Sequence, residues 1–165
     1  MQTFLPVEVY IGLGSNLSEP RKQVKQAIDI IAKTDNIELL DASSLYLSKP
    51  MGPQDQDDYI NAVIAIETTL PPLDLLDVLQ AIELSAGRVR KDNRWSARVL
   101  DLDILLFGEL ITDTERLTVP HYGMKSREFV ILPLEEITHE FILPDGDSVK
   151  FLSQTIPHNG IKRIS

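Results

Sequence analysis

The chain has 165 residues and a formal net charge of −9, with 43% hydrophobic and 25% charged residues, which excludes a chain disordered throughout and fits one domain over 1–165. The acidic total argues against a broad nucleic-acid-binding surface, and the apolar runs are shorter than the roughly 20 residues that cross a bilayer. Because the chain has no cysteine and begins without the basic and apolar segments of a signal peptide, we expect a cytoplasmic protein without thiol chemistry.

The first half of the chain alternates strand and helix patterns. Residues 7–13 are apolar and β-branched and predict a strand, which ends at Gly14. An apolar repeat of 3.6 residues, with Pro20 in its first turn, predicts a helix over about 19–32. Two further strands are predicted over 37–47 and 59–69, with a long loop over 49–58 between them.

The second half continues the alternation. An apolar stripe predicts a helix over 73–86 that ends at Gly87, and residues 99–107 predict a strand that Gly108 turns into a short strand over 110–112. The order β-α-β-β-α-β predicts an α+β, ferredoxin-like fold: an antiparallel sheet with helices packed on one face, plus additional helices and a hairpin. The other face is expected to be free to carry a ligand. The segment 148–165 is left open as a short helix or a loose tail.

Two carboxylates, Asp101 and Asp103, alternate with leucines on the last long strand. Because side chains alternate between the faces of a sheet, both carboxylates are expected opposite the helices, with Cα atoms about 6.6 Å apart. Such a pair can share divalent cations that lie roughly 3.5 to 4 Å apart and also bind phosphates. The alternative is a pair of solvated acids on an amphipathic strand.

The segment before this strand carries a group of cationic side chains: Arg88, Arg90, Lys91, Arg94 and Arg98. Guanidinium groups bind phosphate oxygens bidentately, although most cationic segments of this kind are solvated loops. Trp95 adds a flat apolar surface, so the segment can fold over a polyphosphate and exclude water. On the preceding helix, Gln80 and Glu83 lie one turn apart and can accept hydrogen bonds from a substrate, or can be ordinary exposed polar residues.

A second set of residues indicates a flat ligand. Tyr59 and Asn61 are expected on one strand face, and Asn61 lies among apolar neighbours. A buried amide needs partners, so Asn61 either satisfies the loop backbone or binds the edge of a heterocycle. An imidazole, a phenol, a guanidinium and an aromatic ring follow within ten residues, at His121, Tyr122, Arg127 and Phe129. Alone, the histidine would more often be structural and the phenylalanine part of the core.

These segments together resemble the 6-hydroxymethyl-7,8-dihydropterin pyrophosphokinase family. The matching stretches are GLGSNL (12–17), GPQDQ (52–56), DYINA (58–62), IELSAGRVRK (82–91), RWSARVLDLDILLFG (94–108) and ERLTVPHYGMKSREFVILPL (115–134). They run in order from about residue 10 to 147. The resemblance implies Mg²⁺-dependent transfer of pyrophosphate from ATP to 6-hydroxymethyl-7,8-dihydropterin in folate biosynthesis, with AMP as the second product.

The resemblance also implies residue roles. Asp101 and Asp103 would hold two Mg²⁺ ions, while Arg88 and Arg98 would be catalytic and stabilise charge on the transferring group. The residues implied for ATP are Gln80, Arg90, Lys91, Arg98, Ile104, Leu117, Thr118, His121, Tyr122 and Arg127. Those implied for the pterin are Ser48, Met51, Tyr59, Asn61, Trp95 and Phe129, with Glu83 near the hydroxymethyl group.

The chain departs from the family pattern at Lys49, where a proline is usual, at Ser96, where glycine or alanine is usual, and at Val99, where threonine is frequent. None of these is an implied ligand. Two alternatives stay open: another metal-dependent nucleotide phosphotransferase or hydrolase, and a ferredoxin-like RNA-binding module. The RNA module would have paired aromatics on a basic domain, whereas this chain has carboxylates on an acidic one. Because one domain holds the whole expected site, a monomer is predicted.

Overall fold

The computed structural model describes residues 5–17, 19–49, 57–87 and 99–165. The first elements are strand β1 (Val7–Ser15), helix α1 (Pro20–Ala32), strands β2 (Ile37–Ala42), β3 (Tyr46–Ser48) and β4 (Tyr59–Thr68), helix α2 (Pro72–Ser85) and strand β5 (Asp101–Phe107). They are followed by strands β6 (Thr112–Asp113) and β7 (Thr118–Val119), a 3₁₀ turn (Met124–Ser126), helices α3 (Glu128–Glu136) and α4 (Val149–Thr155), and strand β8 (Lys162–Arg163).

The long strands form one antiparallel sheet in the order β5-β1-β4-β3-β8, with β2 also paired to β4. This order confirms the predicted ferredoxin-like core, in which β2 and β3 together take the place of one strand beside β4. The additional helices are α3 and α4. An additional hairpin is also present, formed by β6 and β7, although β7 was not among the predicted strands. Within the described ranges, no helix combines the length and apolarity that crossing a membrane requires.

The single strand predicted over 37–47 is wrong, because the chain forms β2 and β3 with a break over residues 43–45. At the break, the backbone N–H and the hydroxyl of Ser44 donate to the carboxylate of Glu136 on α3. The Ser43 hydroxyl accepts a 2.9 Å hydrogen bond from the Val63 N–H. Side chains thus replace part of the ladder at this point, while β2 and β3 on either side both pair with β4.

The remaining boundaries differ by small amounts. β5 begins at Asp101 instead of residue 99, and the strand predicted over 110–112 lies at Thr112–Asp113. The shift follows from the turn at Gly108, where the Leu110 N–H bonds to the Phe107 carbonyl. The last segment is ordered as a short helix, α4, whose first turn is capped by the Ser148 hydroxyl, and it continues into β8.

The core has one layer on each side of the sheet. Leu100, Leu102 and Ile104 are buried on the side of α1 and α2, as the alternation predicted. The expectation that the other face is free is only half correct, because α3 and α4 cover the part that carries Val63 and Leu105. Apolar side chains on that part require burial. Neither of these two helices covers the part of the same face that carries Asn61, Asp101 and Asp103, which line a cleft among the described residues.

Candidate active site

A cleft opens on the uncovered part of this face, between the ends of β1, β4 and β5 and the start of α3. Its walls include residues that the sequence analysis selected for two different ligands. The predicted site residues that line it are Ser48, Tyr59, Asn61, Asp101, Asp103, Arg127 and Phe129. The structure therefore brings the carboxylate pair and the expected flat-ligand residues into one cavity.

The two carboxylates stand opposite two glycines. Asp101 pairs with Gly14 and Asp103 with Gly12 across the β1–β5 ladder, and both aspartates are half-buried. Directly opposed side chains in an antiparallel pair approach within about 5.5 Å at Cβ, so glycine at both partner positions leaves the space above the carboxylates open. In the described part of the chain no group of three or more His, Cys, Asp or Glu residues is placed to hold a metal.

Asn61 is buried at the end of the cleft, with 6% of its surface exposed. Its carbonyl oxygen accepts a 2.5 Å hydrogen bond from the hydroxyl of Ser48, itself 4% exposed. Its Nδ2 group lies beside Gly14, where an added Cβ would come within 3.1 Å of it. Ser48 thus holds the carbonyl end of the amide and directs the amino end toward the cleft.

Two half-buried aromatic rings, Tyr59 and Phe129, belong to different elements of the cleft wall. Tyr59 begins β4, and Phe129 lies in the first turn of α3. The Arg127 guanidinium lies over the Phe129 ring, 5.8 Å from its centroid, and over the Tyr122 ring at 5.7 Å. A cation over two ring faces is attracted by their electron density, which orients this arginine at the cleft.

Close packing holds Arg127 against a glycine, since a Cβ on Gly123 would lie 2.9 Å from the arginine Nε. The same glycine donates its N–H to Nδ1 of His121 at 3.2 Å. The His121 ring stacks on Tyr122, which is 77% exposed, with 4.8 Å between centroids. Gly123 is therefore a shared support for the imidazole and the guanidinium.

His121 is an uncharged imidazole at neutral pH. Burial lowers its pKa to about 4, helped by the Arg127 cation and opposed by the Asp101 carboxylate. Because Nδ1 accepts from Gly123, the proton of the neutral ring is on Nε2. The ring therefore presents an N–H donor from Nε2.

A second group of predicted residues lies at the β5 edge, beside α2. Ile104 and Leu117 are buried in the core there, and the Thr118 hydroxyl donates to Asp113 at 2.8 Å. Arg116 was missed by the sequence analysis. Its guanidinium lies 2.6 Å from the Asp77 carboxylate and 3.4 Å from the Gln80 carbonyl. Its place directly before Leu117 and Thr118 was a signal that could have found it.

Glu83 is buried, with 4% of its surface exposed, so the interpretation as an exposed helix polar residue is wrong. Its Oε2 accepts a 2.8 Å hydrogen bond from the Leu102 N–H, on the helix side of β5. Among the described residues it is absent from the cleft lining. The carboxylate ties α2 to the strand that carries the aspartate pair.

The other predicted residues lie outside the described ranges. They are Met51, Arg88, Arg90, Lys91, Trp95 and Arg98.

Comparison with known proteins identifies the family. The family model for 7,8-dihydro-6-hydroxymethylpterin-pyrophosphokinase matches residues 10–139. The Pseudomonas aeruginosa protein named 2-amino-4-hydroxy-6-hydroxymethyldihydropteridine pyrophosphokinase is 51% identical over 156 residues, which cover 94% of this chain and 96% of that protein. The Haemophilus influenzae protein of the same name is 52% identical over 157 residues, covering 94% and 98%.

The fold also matches that of a solved structure. The crystal structure of Plasmodium falciparum HPPK-DHPS with pteroate superimposes with a TM-score of 0.72 at 12% identity, over 93% of this chain and 43% of that longer chain. This likeness concerns the fold, whereas the family assignment follows from the sequence matches over nearly the whole chain. The resemblance seen in the sequence is thus confirmed, and the chain belongs to the 7,8-dihydro-6-hydroxymethylpterin-pyrophosphokinase family.

Proposed function

We propose that this chain transfers pyrophosphate from ATP to 6-hydroxymethyl-7,8-dihydropterin in folate biosynthesis, with Mg²⁺, giving AMP and the pterin diphosphate. The observation that carries the proposal is the cleft, in which a pair of carboxylates lies beside an oriented amide and two aromatic rings. Relatives at 51% and 52% identity, named pyrophosphokinases, support it over nearly their whole length. One ligand with a flat ring and one with phosphates account for both halves of the cleft.

The pterin ring would lie between Tyr59 and Phe129. Aromatic rings that stack on a heterocycle contribute about 0.5–1.5 kcal/mol beyond the area they bury. The Asn61 amino group, directed into the cleft by the Ser48 hydroxyl, would donate to an acceptor on the pterin edge. A buried polar group that matches one substrate also discriminates against rings without that acceptor.

Asp101 and Asp103 fit Mg²⁺ because they supply hard oxygen ligands on one open face. Mg²⁺ is usually held by one or two carboxylates together with substrate phosphates, which agrees with a pair that lacks a larger protein ligand group within the described ranges. When bound, Mg²⁺ would neutralise charge on the ATP phosphates. Two ions are proposed, as in the expectation from the resemblance.

Arg127 and His121 would contact the triphosphate, the arginine as a fixed cation and the neutral histidine as a donor from Nε2. The proposed set is completed by the other residues that the resemblance implies for the transferring group, for ATP and for the pterin. They are Arg88, Arg90, Lys91, Trp95 and Arg98. The hydroxymethyl oxygen loses its proton and forms a bond to the β-phosphorus of ATP, and the bond from that phosphorus to the oxygen bridging to the α-phosphorus breaks. AMP leaves, and the proton is released to solvent. Such a transfer depends on positioning and charge stabilisation and needs no covalent nucleophile.

At the level of the whole molecule, we propose one pyrophosphokinase domain over residues 1–165. The protein is proposed to act as a cytoplasmic monomer that binds neither nucleic acid nor membrane. The net charge of −9 supports the absence of nucleic-acid binding.

The test is incubation of the purified protein with ATP, Mg²⁺ and 6-hydroxymethyl-7,8-dihydropterin, followed by chromatography of the nucleotides. The proposal predicts AMP that forms only when the pterin is present and that disappears when a chelator removes Mg²⁺. Pterin-dependent ADP would indicate another phosphotransferase. Phosphate release without pterin would indicate a hydrolase. Either result without AMP would overturn the assignment.

A further inference from the structure

Glu136, the last residue of α3, accepts several hydrogen bonds at a position outside the cleft. Its carboxylate accepts from the Ser44 N–H at 3.0 and 3.1 Å, from the Ser44 hydroxyl at 3.1 Å and from the Tyr46 hydroxyl at 2.6 Å. The Arg163 guanidinium on β8 lies 3.4 Å away, and 21% of the Glu136 side chain is exposed. A part-buried carboxylate with several donors and one cation is a strong, directional anchor.

This anchor connects the two walls of the proposed pterin slot. The slot is the part of the cleft between Phe129 on one side and Tyr59 and Asn61 on the other. α3 carries Phe129 near its first residue and Glu136 at its last. β3, held by Glu136, pairs with the start of β4, so that Tyr46 is opposite Asn61 and Ser48 opposite Tyr59. The Phe129 wall and the Tyr59–Asn61 wall are therefore connected through one carboxylate.

The other contacts of α3 do not determine its position along the sheet so closely. Val130 and Leu134 pack into the apolar cluster on this face. Apolar packing is favourable but non-directional, whereas hydrogen bonds weaken steeply when their angles change. Glu136 thus supplies directional hydrogen bonds between the end of α3 and residues Ser44 and Tyr46.

The C-terminal segment, with strand β8, adds further hydrogen bonds at the break between β2 and β3. The Ile164 N–H donates to the Leu45 carbonyl at 2.8 Å, and the Leu45 N–H donates to the Ser165 hydroxyl at 2.6 Å. Burial and the hydrogen bond to Glu136 raise the pKa of Tyr46, so its hydroxyl stays a donor across the working range. β8 closes the outer edge of β3 and holds Arg163 beside the carboxylate.

We propose that Glu136 is a positioning residue for pterin recognition, which sets the spacing between Phe129 and the Tyr59–Asn61 wall without touching the substrate. This inference rests on the proposed function, because it names the pterin as the ligand of the slot. The carboxylate pair is on β5, which Glu136 does not contact. Arg127, which is proposed for the triphosphate, directly precedes α3, but it is also held by its contacts with Gly123 and Tyr122. Loss of Glu136 should therefore weaken pterin binding more than nucleotide binding.

The experiment compares Glu136→Ala with the conservative Glu136→Gln, which keeps the size and part of the acceptor capacity. The matched control is Asp145→Ala, which removes a carboxylate that is ion-paired with Lys125 away from the cleft. Pterin binding is followed by fluorescence titration of 6-hydroxymethylpterin, and nucleotide binding by calorimetry with a non-hydrolysable ATP analogue and Mg²⁺. We expect Glu136→Ala to raise the pterin Kd about tenfold, because the two walls lose their fixed spacing and must be ordered when the ligand binds, with the nucleotide Kd within about twofold. Glu136→Gln should recover most of the affinity, and Asp145→Ala should bind both ligands like the wild type.

An unchanged pterin Kd in folded Glu136→Ala, or equal losses for pterin and nucleotide, would overturn the inference. If Glu136→Ala does not fold, Tyr46→Phe removes a single donor, and it should raise the pterin Kd by a smaller factor without affecting the nucleotide. Hydrogen exchange gives a readout that does not depend on the ligand. Faster exchange over residues 44–48 in Glu136→Ala supports the anchor, and unchanged exchange refutes it. Failure of the wild type to bind the pterin would count against the proposed function alone.

Discussion

The Ser48 hydroxyl donates a 2.5 Å hydrogen bond to the side-chain carbonyl of Asn61, and both side chains are buried at the end of the cleft. Ser48 is on β3 and Asn61 on β4, so the pair crosses from one strand to its neighbour. The bond fixes which end of the amide faces the cleft. Under the proposed function, the amide would thus be oriented for the pterin edge before the ligand arrives, which would reduce the entropy lost on binding.

Asn61→Ala should weaken pterin binding on the order of a hundredfold, because it removes the donor proposed for the edge of the ring. Ser48→Ala should weaken it less, about three- to tenfold, because the amide remains and loses only its fixed orientation. Fluorescence titration with 6-hydroxymethylpterin measures both. Equal effects of the two substitutions would show that Asn61 does not contact the ligand directly.

Gly14→Ala and Gly12→Ala form a matched pair on β1. A Cβ at Gly14 would lie 3.1 Å from the Asn61 Nδ2, whereas one at Gly12 would lie 3.4 Å from the flexible end of Leu105. The first change should displace the amide and raise the pterin Kd about tenfold, and the second should change it by less than about threefold. Titration of both variants checks the order, and a larger loss for Gly12→Ala would contradict the assigned position of the amide.

Asp103→Ala should reduce turnover by a factor on the order of a thousand, because it removes half of the carboxylate pair that fits Mg²⁺. Asp29→Ala, on the exposed side of α1, is the charge-matched control and should keep wild-type activity. Steady-state AMP formation measured over a range of Mg²⁺ concentrations provides the comparison. A normal rate and an unchanged Mg²⁺ dependence in Asp103→Ala would refute the metal role.

The stability of the protein should depend on His121 below neutral pH. Its pKa of about 4 in the folded state is lower than its ordinary value of about 6.5. Between these values the unfolded chain binds the additional proton, so the contribution of His121 is intact above about pH 6.5 and is lost as the pH falls toward 4. Below the folded pKa no further loss comes from this group.

His121→Asn removes this titration while keeping an acceptor for the Gly123 N–H. Urea unfolding at about pH 7 and about pH 4.5 should show that the wild type loses more stability than the variant on acidification. NMR titration of the His121 ring gives the pKa directly. A value near 6.5, or an equal pH effect in both proteins, would show that the ring is not buried as described.

The elements with regular patterns could be predicted from the sequence. α1, α2, β1 and β4 lie within two residues of the predicted positions. The helices bury one periodic apolar face, and the strands are apolar runs buried over most of their length. The break between β2 and β3 could not, since it depends on Glu136, which is 92 residues from Ser44 in the sequence. The packing of α3 over one part of the sheet likewise depends on tertiary contacts.

The site was predictable to a similar degree. Alternation along β5 placed Asp101 and Asp103 on the correct face. Periodicity indicated that Asn61 was buried but could not choose Ser48 as its partner. For Glu83, sequence spacing does not distinguish an exposed helix position from one that supports a strand backbone. The glycines opposite the aspartates became significant only once the strand register was known.

The most direct test of the central claim follows the phosphorus atoms of ATP. ATP labelled at the β-phosphate is incubated with the protein, Mg²⁺ and 6-hydroxymethyl-7,8-dihydropterin, and the labelled products are separated. Transfer of pyrophosphate predicts that the label moves to the pterin, with one AMP formed for each labelled pterin. Label that stays in ADP, or that is released as free pyrophosphate independently of the pterin, would contradict the account.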